Sequence, residues 1–237
     1  MAQVSGVTQA PAPVVVAAPD LWAGPAPLGL AAFGFTTLLL SVLNVGIIPS
    51  SSIGVVLALA VPWGAGGQLV AGLVAFKNGA HFAATAFCSY AAFWFSFVFI
   101  FTLFGSILPK DPTPILGLYA MAWGLFTLYM TVASLAGSKA VTVVFVLLTI
   151  TFVLLGIGFW GHDAMGHGMT QIGGIFGLAT AAAAIYTSFA DVSNAVFKRI
   201  VPLQLFDHGY GISDFHPHYG ARDVERPAAV MIRLELF

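Results

Sequence analysis

Charged side chains are what this 237-residue chain has least of: they make up 7% of it, 8 Lys+Arg against 9 Asp+Glu. A soluble domain carries about 25%, so this scarcity excludes an ordinary water-facing globule. Between Leu21 and Ala190 the only formal charges are Lys77, Lys110, Asp111, Lys139 and Asp163, which marks the middle of the chain as a membrane domain. A formal net charge of -1, with no stretch that interleaves Lys or Arg with stacking aromatics, offers nothing to a phosphate backbone and excludes nucleic-acid binding. The single cysteine, Cys88, sits in an apolar run, which rules out an intramolecular disulfide and argues against thiol redox chemistry or a zinc-thiolate centre. Residues 1 to 26 contain no Lys or Arg and no long unbroken apolar core, so they read as an irregular cytoplasmic lead ending in an interfacial Trp22 rather than a secretory signal.

What is present is apolar: 59% of the residues. Six runs approach or exceed the roughly 20 residues that cross a hydrocarbon core about 30 Å thick. They are Leu28 to Ile48, Ile53 to Phe76, Phe82 to Leu108, Ile115 to Ala136, Ala140 to Trp160 and Thr170 to Ala190, separated by Pro-, Gly-, Ser- and Lys-containing breaks. The predicted fold class is therefore an all-α integral membrane protein, with the six-helix domain over 27–195 and a polar cytoplasmic tail over 196–237 that carries His208, His216 and His218. An even number of spans puts both termini on one side. Lys77, Lys139, Lys198 and Arg199 fall on that side, and the positive-inside rule makes it the cytoplasm. A faint echo, Leu28-Gly29-Leu30 against Leu116-Gly117-Leu118, admits a 3+3 inverted repeat.

Several features inside the spans can be read for chemistry. Gly173, Gly177 and Ala181 form a small-residue row suited to close helix packing. The stretch VPWGAGGQ at 61–68 sets Pro62 and three glycines in mid-membrane, either as a packed proline kink or as a broken helix whose amide end faces an anion. On the first span Phe33, Thr37, Leu40, Ser41 and Asn44 share one helical face, and Gln68, Ser96 and Thr127 supply hydrogen-bonding groups on other helices; these suit a polar pathway or interhelical glue. No charge lies at a bilayer centre, and Asp191 closes the sixth span, so the pathway fits a solute that is uncharged or carries its own proton. The third span holds ten aromatics, most expected to meet lipid or neighbouring subunits; Tyr90 is the exception, because its hydroxyl needs a polar partner.

The segments PAPLGLAAFGFTT (25–37), GGQLVAGLVAFKNG (66–79), TAFCSYAAFW (85–94), GLYAMAWGLFTLYM (117–130) and AIYTSFADVSN (184–194) together resemble the acetate uptake transporter family, whose bacterial members include succinate/acetate permeases. The resemblance covers roughly residues 24 to 202. It implies a six-helix protomer, a hexamer, and a path through each protomer for acetate and related small monocarboxylates or succinate, generally coupled to protons. It places a hydrophobic constriction at Phe33, Tyr90 and Leu148, and substrate-size tuning at Ala184. With the polar groups above, the expected pathway takes in Thr36, Thr37, Asn44, Gln68, Thr127 and Ala184. The chain departs from the family pattern at Gly24, where Asn is usual, at Ala75, where Glu is usual, and at Ala80-His81; His81 suits an interfacial helix cap.

The expectation is a transporter or channel without catalytic residues, cofactor or metal, in the plasma membrane. Two alternatives stay open: a neutral-solute or ammonia channel on the same fold, and a membrane metalloenzyme or sensor using His162, Asp163 and His167, whose spacing is not a helical metal motif.

Overall fold

The computed structural model describes residues 22–197. Six helices are long and apolar enough to cross a membrane: Ala26–Val45, Ser50–Lys77, His81–Phe101, Thr113–Ser134, Lys139–Trp160 and Gly168–Phe197, the first to sixth spans below. The described residues are all-helical, as the apolar runs predict. Large exposed side chains such as Val55, Leu73, Leu125 and Val132 are apolar, the arrangement that hydrocarbon around a protein stabilises. Residues 1–21 and 198–237, with most of the lead and of the histidine-bearing tail, lie outside the described residues.

Two boundaries differ from the sequence reading. The third span stops at Phe101, and a short 3-10 turn over Gly105–Ile107 follows, although the apolar run continues to Leu108. Thr102 Oγ1 bonds the carbonyl of Val98 there, taking a local partner as the chain leaves the helix. The sixth span extends beyond Ala190 to Phe197, because no proline or glycine interrupts it, so Asp191 lies inside the helix rather than closing it.

The first and sixth spans run antiparallel along their whole length. A Cβ on Gly174 would stand 2.7 Å from the Val45 nitrogen, and one on Gly34 would stand 2.7 Å from Ile185 Cγ1. Ser41 packs on Gly177 between them. The Ser188 hydroxyl donates to the Pro27 carbonyl (2.7 Å) at one end, and Gln171 Nε2 donates to the Val45 carbonyl (3.1 Å) at the other. The first span ends in a left-handed Gly46 (φ 85°) that meets Gly166, also at φ 85°, while the Gly166 N–H donates to the Asn44 carbonyl (2.9 Å). Only glycine combines that backbone with such an approach. The small-residue row at 173, 177 and 181 is thus a packing surface between helices, and the start of the first span and the end of the last share one face of the bundle.

The second span is continuous. It is not broken at VPWGAGGQ; Ala60–Gly67 instead form a π-helical stretch between two α-helical segments. Pro62 has no N–H and would crowd the Ala58 carbonyl in an α-helix, and a wider turn relieves both faults. Gly64 and Gly67 let this stretch press against Trp94, Thr36 and Ala32.

Threonine and tyrosine hydroxyls tie the remaining spans: Thr131 to Thr149 (3.0 Å) between the fourth and fifth, and Ser96 to Tyr119 (2.7 Å) between the third and fourth. Contrary to expectation, most third-span aromatics meet the protein's own interior. Phe87, Tyr90, Phe93 and Trp94 are buried, Phe82, Phe95 and Phe97 pack on the core, and Phe99, Phe101 and Phe104 are exposed.

The close packing of the first and sixth spans has a direct test. Gly174→Ala should destabilise the detergent-solubilised protein by about 1–3 kcal/mol in unfolding experiments. Gly54→Ala, where an added Cβ meets nothing within 4 Å, should not. Equal effects at the two positions would contradict the packing described.

Candidate functional site

A vestibule of about 70 Å³, counted as space open to the centre of a water-sized sphere, runs between the first, third and fifth spans. Since a single water needs about 10–15 Å³ on that measure, it has room for a small organic solute. Its outer end lies among Pro25, Ala80, Gly137 and Ser138, at the chain reversals on the face shared by the start of the first span and the end of the last. Leu30, Phe87 and Val144 line its middle, and Phe33, Tyr90, Leu148 and Gln68 its inner end. Lys77 and Lys139, which end the second span and begin the fifth, flank the outer end. The Lys77 ammonium lies 4.1 Å from the Trp22 ring centroid, a cation-π contact suited to a membrane interface.

The inner end is closed by aromatics that hold one another in place. The Tyr90 and Phe33 rings are 5.6 Å apart, and Tyr90 meets Phe126 edge-on at 5.5 Å and Phe145 at 6.2 Å. Such tilted and edge-to-face contacts are the stable ones between rings. The Tyr90 hydroxyl finds its required partner in Thr127 Oγ1 (2.9 Å). Thr127 uses its own proton on the Trp123 carbonyl (2.7 Å), so Tyr90 is the donor in this bond. Both protons are therefore spent inside the protein, and Tyr90 can offer a passing solute only lone pairs.

Gln68 differs. It is fully buried at the inner end of the vestibule, and neither its Nε2 nor its Oε1 has a hydrogen-bond partner among the described residues. The π-helical stretch that precedes it sets the register at which it enters the interior.

Of the sequence-derived candidates, Phe33, Tyr90, Leu148 and Gln68 come together around this vestibule. The others do not line it. Thr36 is fully buried, bonds the Ala32 carbonyl on its own helix (2.9 Å) and packs on Gly64. Thr37 is buried elsewhere on the first span. Asn44 lies near that span's far end, against Gly174. Thr127 stands behind Tyr90, and Ala184 is fully buried within the same apolar cluster. Sequence reasoning missed Leu30, Phe87, Val144 and Phe145 as vestibule residues. The available signal was helical spacing: each lies three or four residues before Phe33, Tyr90 or Leu148 and so on the same face.

The departures also find places. Ala75 is fully buried in the apolar cluster, and His81 begins the third span, with its N–H on the Gly79 carbonyl (3.1 Å). At the opposite end of the bundle, His162 contacts Thr113 Oγ1 through Nδ1 (3.1 Å). The Asp163 carboxylate accepts from the Met169 N–H (2.6 Å) at the start of the sixth span, and His167 faces the Met165 carbonyl (3.3 Å). Hydrogen bonds from Thr113 and the nearby His162 hold the Asp111 carboxyl below its usual range. Among the described residues no three His, Cys, Asp or Glu side chains gather as a metal site would need.

A six-span bundle with few charges, whose apolar vestibule narrows onto interlocked aromatics, belongs to the class of channel-like membrane proteins. The comparisons with known proteins are more specific: the model of the GPR1/FUN34/yaaH family matches residues 7–205, and the chain belongs to that family. It is 40% identical over 181 residues to the succinate-acetate/proton symporter SatP of Escherichia coli K12, an alignment covering 76% of this chain and 93% of the relative. It is 36% identical over 201 residues to acetate permease A of Emericella nidulans, covering 78% of this chain and 67% of that one. The structure of the bacterial acetate channel SatP superposes with a TM-score of 0.71 at 38% identity, covering 77% of this chain and 99% of that chain.

The Tyr90–Thr127 bond can be checked by a double-mutant cycle of Tyr90→Phe and Thr127→Val, read by unfolding in detergent. A coupling of about 0.5–1.5 kcal/mol is expected, and additive effects would contradict a direct bond.

Proposed function

We propose that this protein passes acetate and related small carboxylates, succinate among them, across the plasma membrane through the vestibule and the Phe33, Tyr90 and Leu148 constriction. The observation that carries this reading is the shape and chemistry of the vestibule: apolar walls, no fixed charge, and one unpartnered amide, Gln68, at the inner end. Membership of a family with acetate and succinate transporters supports the cargo.

Each part has a physical role. Lys77 and Lys139 raise the local concentration of anions at the vestibule mouth without entering it. The walls strip water from the methyl end of the solute, and Gln68 offers the carboxyl two amide hydrogens. An amide binds an anion more weakly than a fixed Lys or Arg would, and weak binding allows release. A bare carboxylate would pay heavily to cross the Phe33, Tyr90 and Leu148 ring, whereas the protonated acid would not. The solute therefore crosses with its proton, which makes the process a symport in effect. By the positive-inside rule, the lysine-flanked mouth and both termini face the cytoplasm. The exposed apolar faces Phe99, Phe101 and Phe104 suit contacts between protomers of a hexamer. The buried Thr36, Thr37, Asn44, Thr127 and Ala184 shape the bundle around the path rather than touching the solute at its inner mouth.

Uptake of radiolabelled acetate into proteoliposomes tests the reading. It should exceed that of protein-free vesicles and increase as the outside is acidified, and excess ammonium should not compete. Leu148→Ala should raise the rate for larger monocarboxylates relative to acetate by about tenfold, the scale on which a pocket distinguishes single methylenes. Wild-type uptake no greater than that of empty vesicles at any pH would end the proposal.

A further inference from the structure

The vestibule reaches about the middle of the helices that line it, and those helices show what stands beyond its inner end. Pro25, Ala80 and Ser138 at the outer end each immediately precede a span, the first, third and fifth, so these three spans enter from one face and advance inward together. Their lining residues climb at helical spacing: Leu30 to Phe33, Phe87 to Tyr90, Val144 to Leu148. One further turn brings Phe93 and Trp94 on the third span and Thr151 and Phe152 on the fifth.

The contacts decide which of these face each other. Trp94 turns to the second span, where a Cβ on Gly64 would stand 2.9 Å from its Cγ. The Thr151 hydroxyl turns to the sixth, 3.5 Å from Thr180 Oγ1. Phe93 and Phe152 remain, both buried, and their rings meet edge-on at 5.3 Å and 82°. This pair adjoins the Tyr90 layer directly, because Trp123 of the fourth span meets both the Tyr90 ring (6.2 Å) and the Phe93 ring (5.3 Å).

The two rings are held differently from their surroundings. Tyr90 is tied by its hydroxyl to Thr127, and Tyr119, stacked on Phe93 at 6.0 Å, is tied by its hydroxyl to Ser96. Phe93 and Phe152 carry no polar side-chain atom, so their rings can separate without breaking a hydrogen bond in a medium that offers no replacement. Where the first and sixth spans meet, by contrast, Gly174 sets backbone against backbone at Asn44 and Val45. The seam between the third and fifth spans is thus a place where the bundle can part by side-chain movement alone.

We propose that Phe93 and Phe152 form a second gate in series with Phe33, Tyr90 and Leu148, one helical turn farther from the lysine-flanked mouth. The proposal rests on the transport reading above and adds to it the residues that bar the far half of the path. An apolar pair suits the role, since it excludes water and bare carboxylates yet costs a protonated acid little once the rings part.

Two gates in series have a kinetic signature that two packing residues lack. While either gate stands it limits the flux of a bulky solute, so opening both raises that flux by more than the product of the separate effects. Radiolabelled lactate, bulkier than acetate, is the probe. Its uptake is measured in proteoliposomes of the full-length protein carrying Leu148→Ala, Phe93→Ala or both, with acetate as the small-solute reference. Lactate uptake relative to acetate in the double variant should exceed the product of the single effects about tenfold, the scale on which pockets distinguish single groups. Should Phe93→Ala fail to assemble, Phe93→Leu or Phe152→Ala loosens the same ring pair and carries the same expectation. In a protein that transports acetate, double-variant lactate uptake no greater than that product would overturn the second gate and leave the transport reading standing. A wild-type protein that moves no acetate would remove the transport reading and this gate with it.

Discussion

In hydrocarbon no water is at hand for a polar group, so each hydroxyl, amide and indole within the six spans must be satisfied inside the protein or by what passes through it. Most of the buried hydroxyls here turn back on their own helix, as Thr36, Thr151, Thr180 and Thr187 do on the carbonyls four residues earlier. Others join neighbouring spans, and Tyr90 with Thr127 is the pair that matters most, because it anchors one wall of the vestibule's inner end. Against this background of satisfied groups, Gln68 and Trp94 stand apart. Among the described residues they carry the only buried side-chain nitrogen and oxygen atoms without a hydrogen-bond partner.

The same constraint explains how the inner end of the vestibule is held. Phe33 and Leu148 belong to the first and fifth spans, and both are buried to within a few per cent. The first span is fixed by its long glycine-mediated contact with the sixth, and the fifth is bonded to the fourth through Thr131 and Thr149. Tyr90 is held by its hydroxyl at one end and by Phe33, Phe126 and Phe145 around the ring. Three side chains from three helices can define a narrow ring only if those helices cannot slide, and close packing with interhelical bonds supplies that rigidity.

Much of this was legible in the sequence, and the limits have physical reasons. Six spans follow from run length and scarce charge, since the bilayer imposes its own thickness on any helix that crosses it. Tyr90's need for a polar partner follows from its burial alone. Apolar length does not fix where a helix stops, so the third span ends earlier and the sixth later than their apolar runs suggest. Pro62 and its glycines read as a possible break, yet a π-helical stretch absorbs them, because facing side chains from the first and third spans support the widened turn. Thr37, Ser41 and Asn44 look like a pathway when plotted on one helix face. That pattern cannot say which neighbour covers the face, and Gly174 and Gly177 of the sixth span cover the part around Ser41 and Asn44. Gln68 was identifiable as a polar residue in an apolar run, whereas Trp94 was hidden among the third-span aromatics.

The central claim is that a small carboxylate occupies the space bounded by Phe33, Tyr90, Leu148 and Gln68. The most direct measurement is a crystal structure of the protein soaked with bromoacetate, with the anomalous signal of bromine locating the solute without reliance on its shape. The account predicts a peak between those four side chains, with the carboxyl directed at the Gln68 amide. Bromine found only at the lipid-facing surface or between protomers, with the vestibule empty at saturating solute, would contradict it.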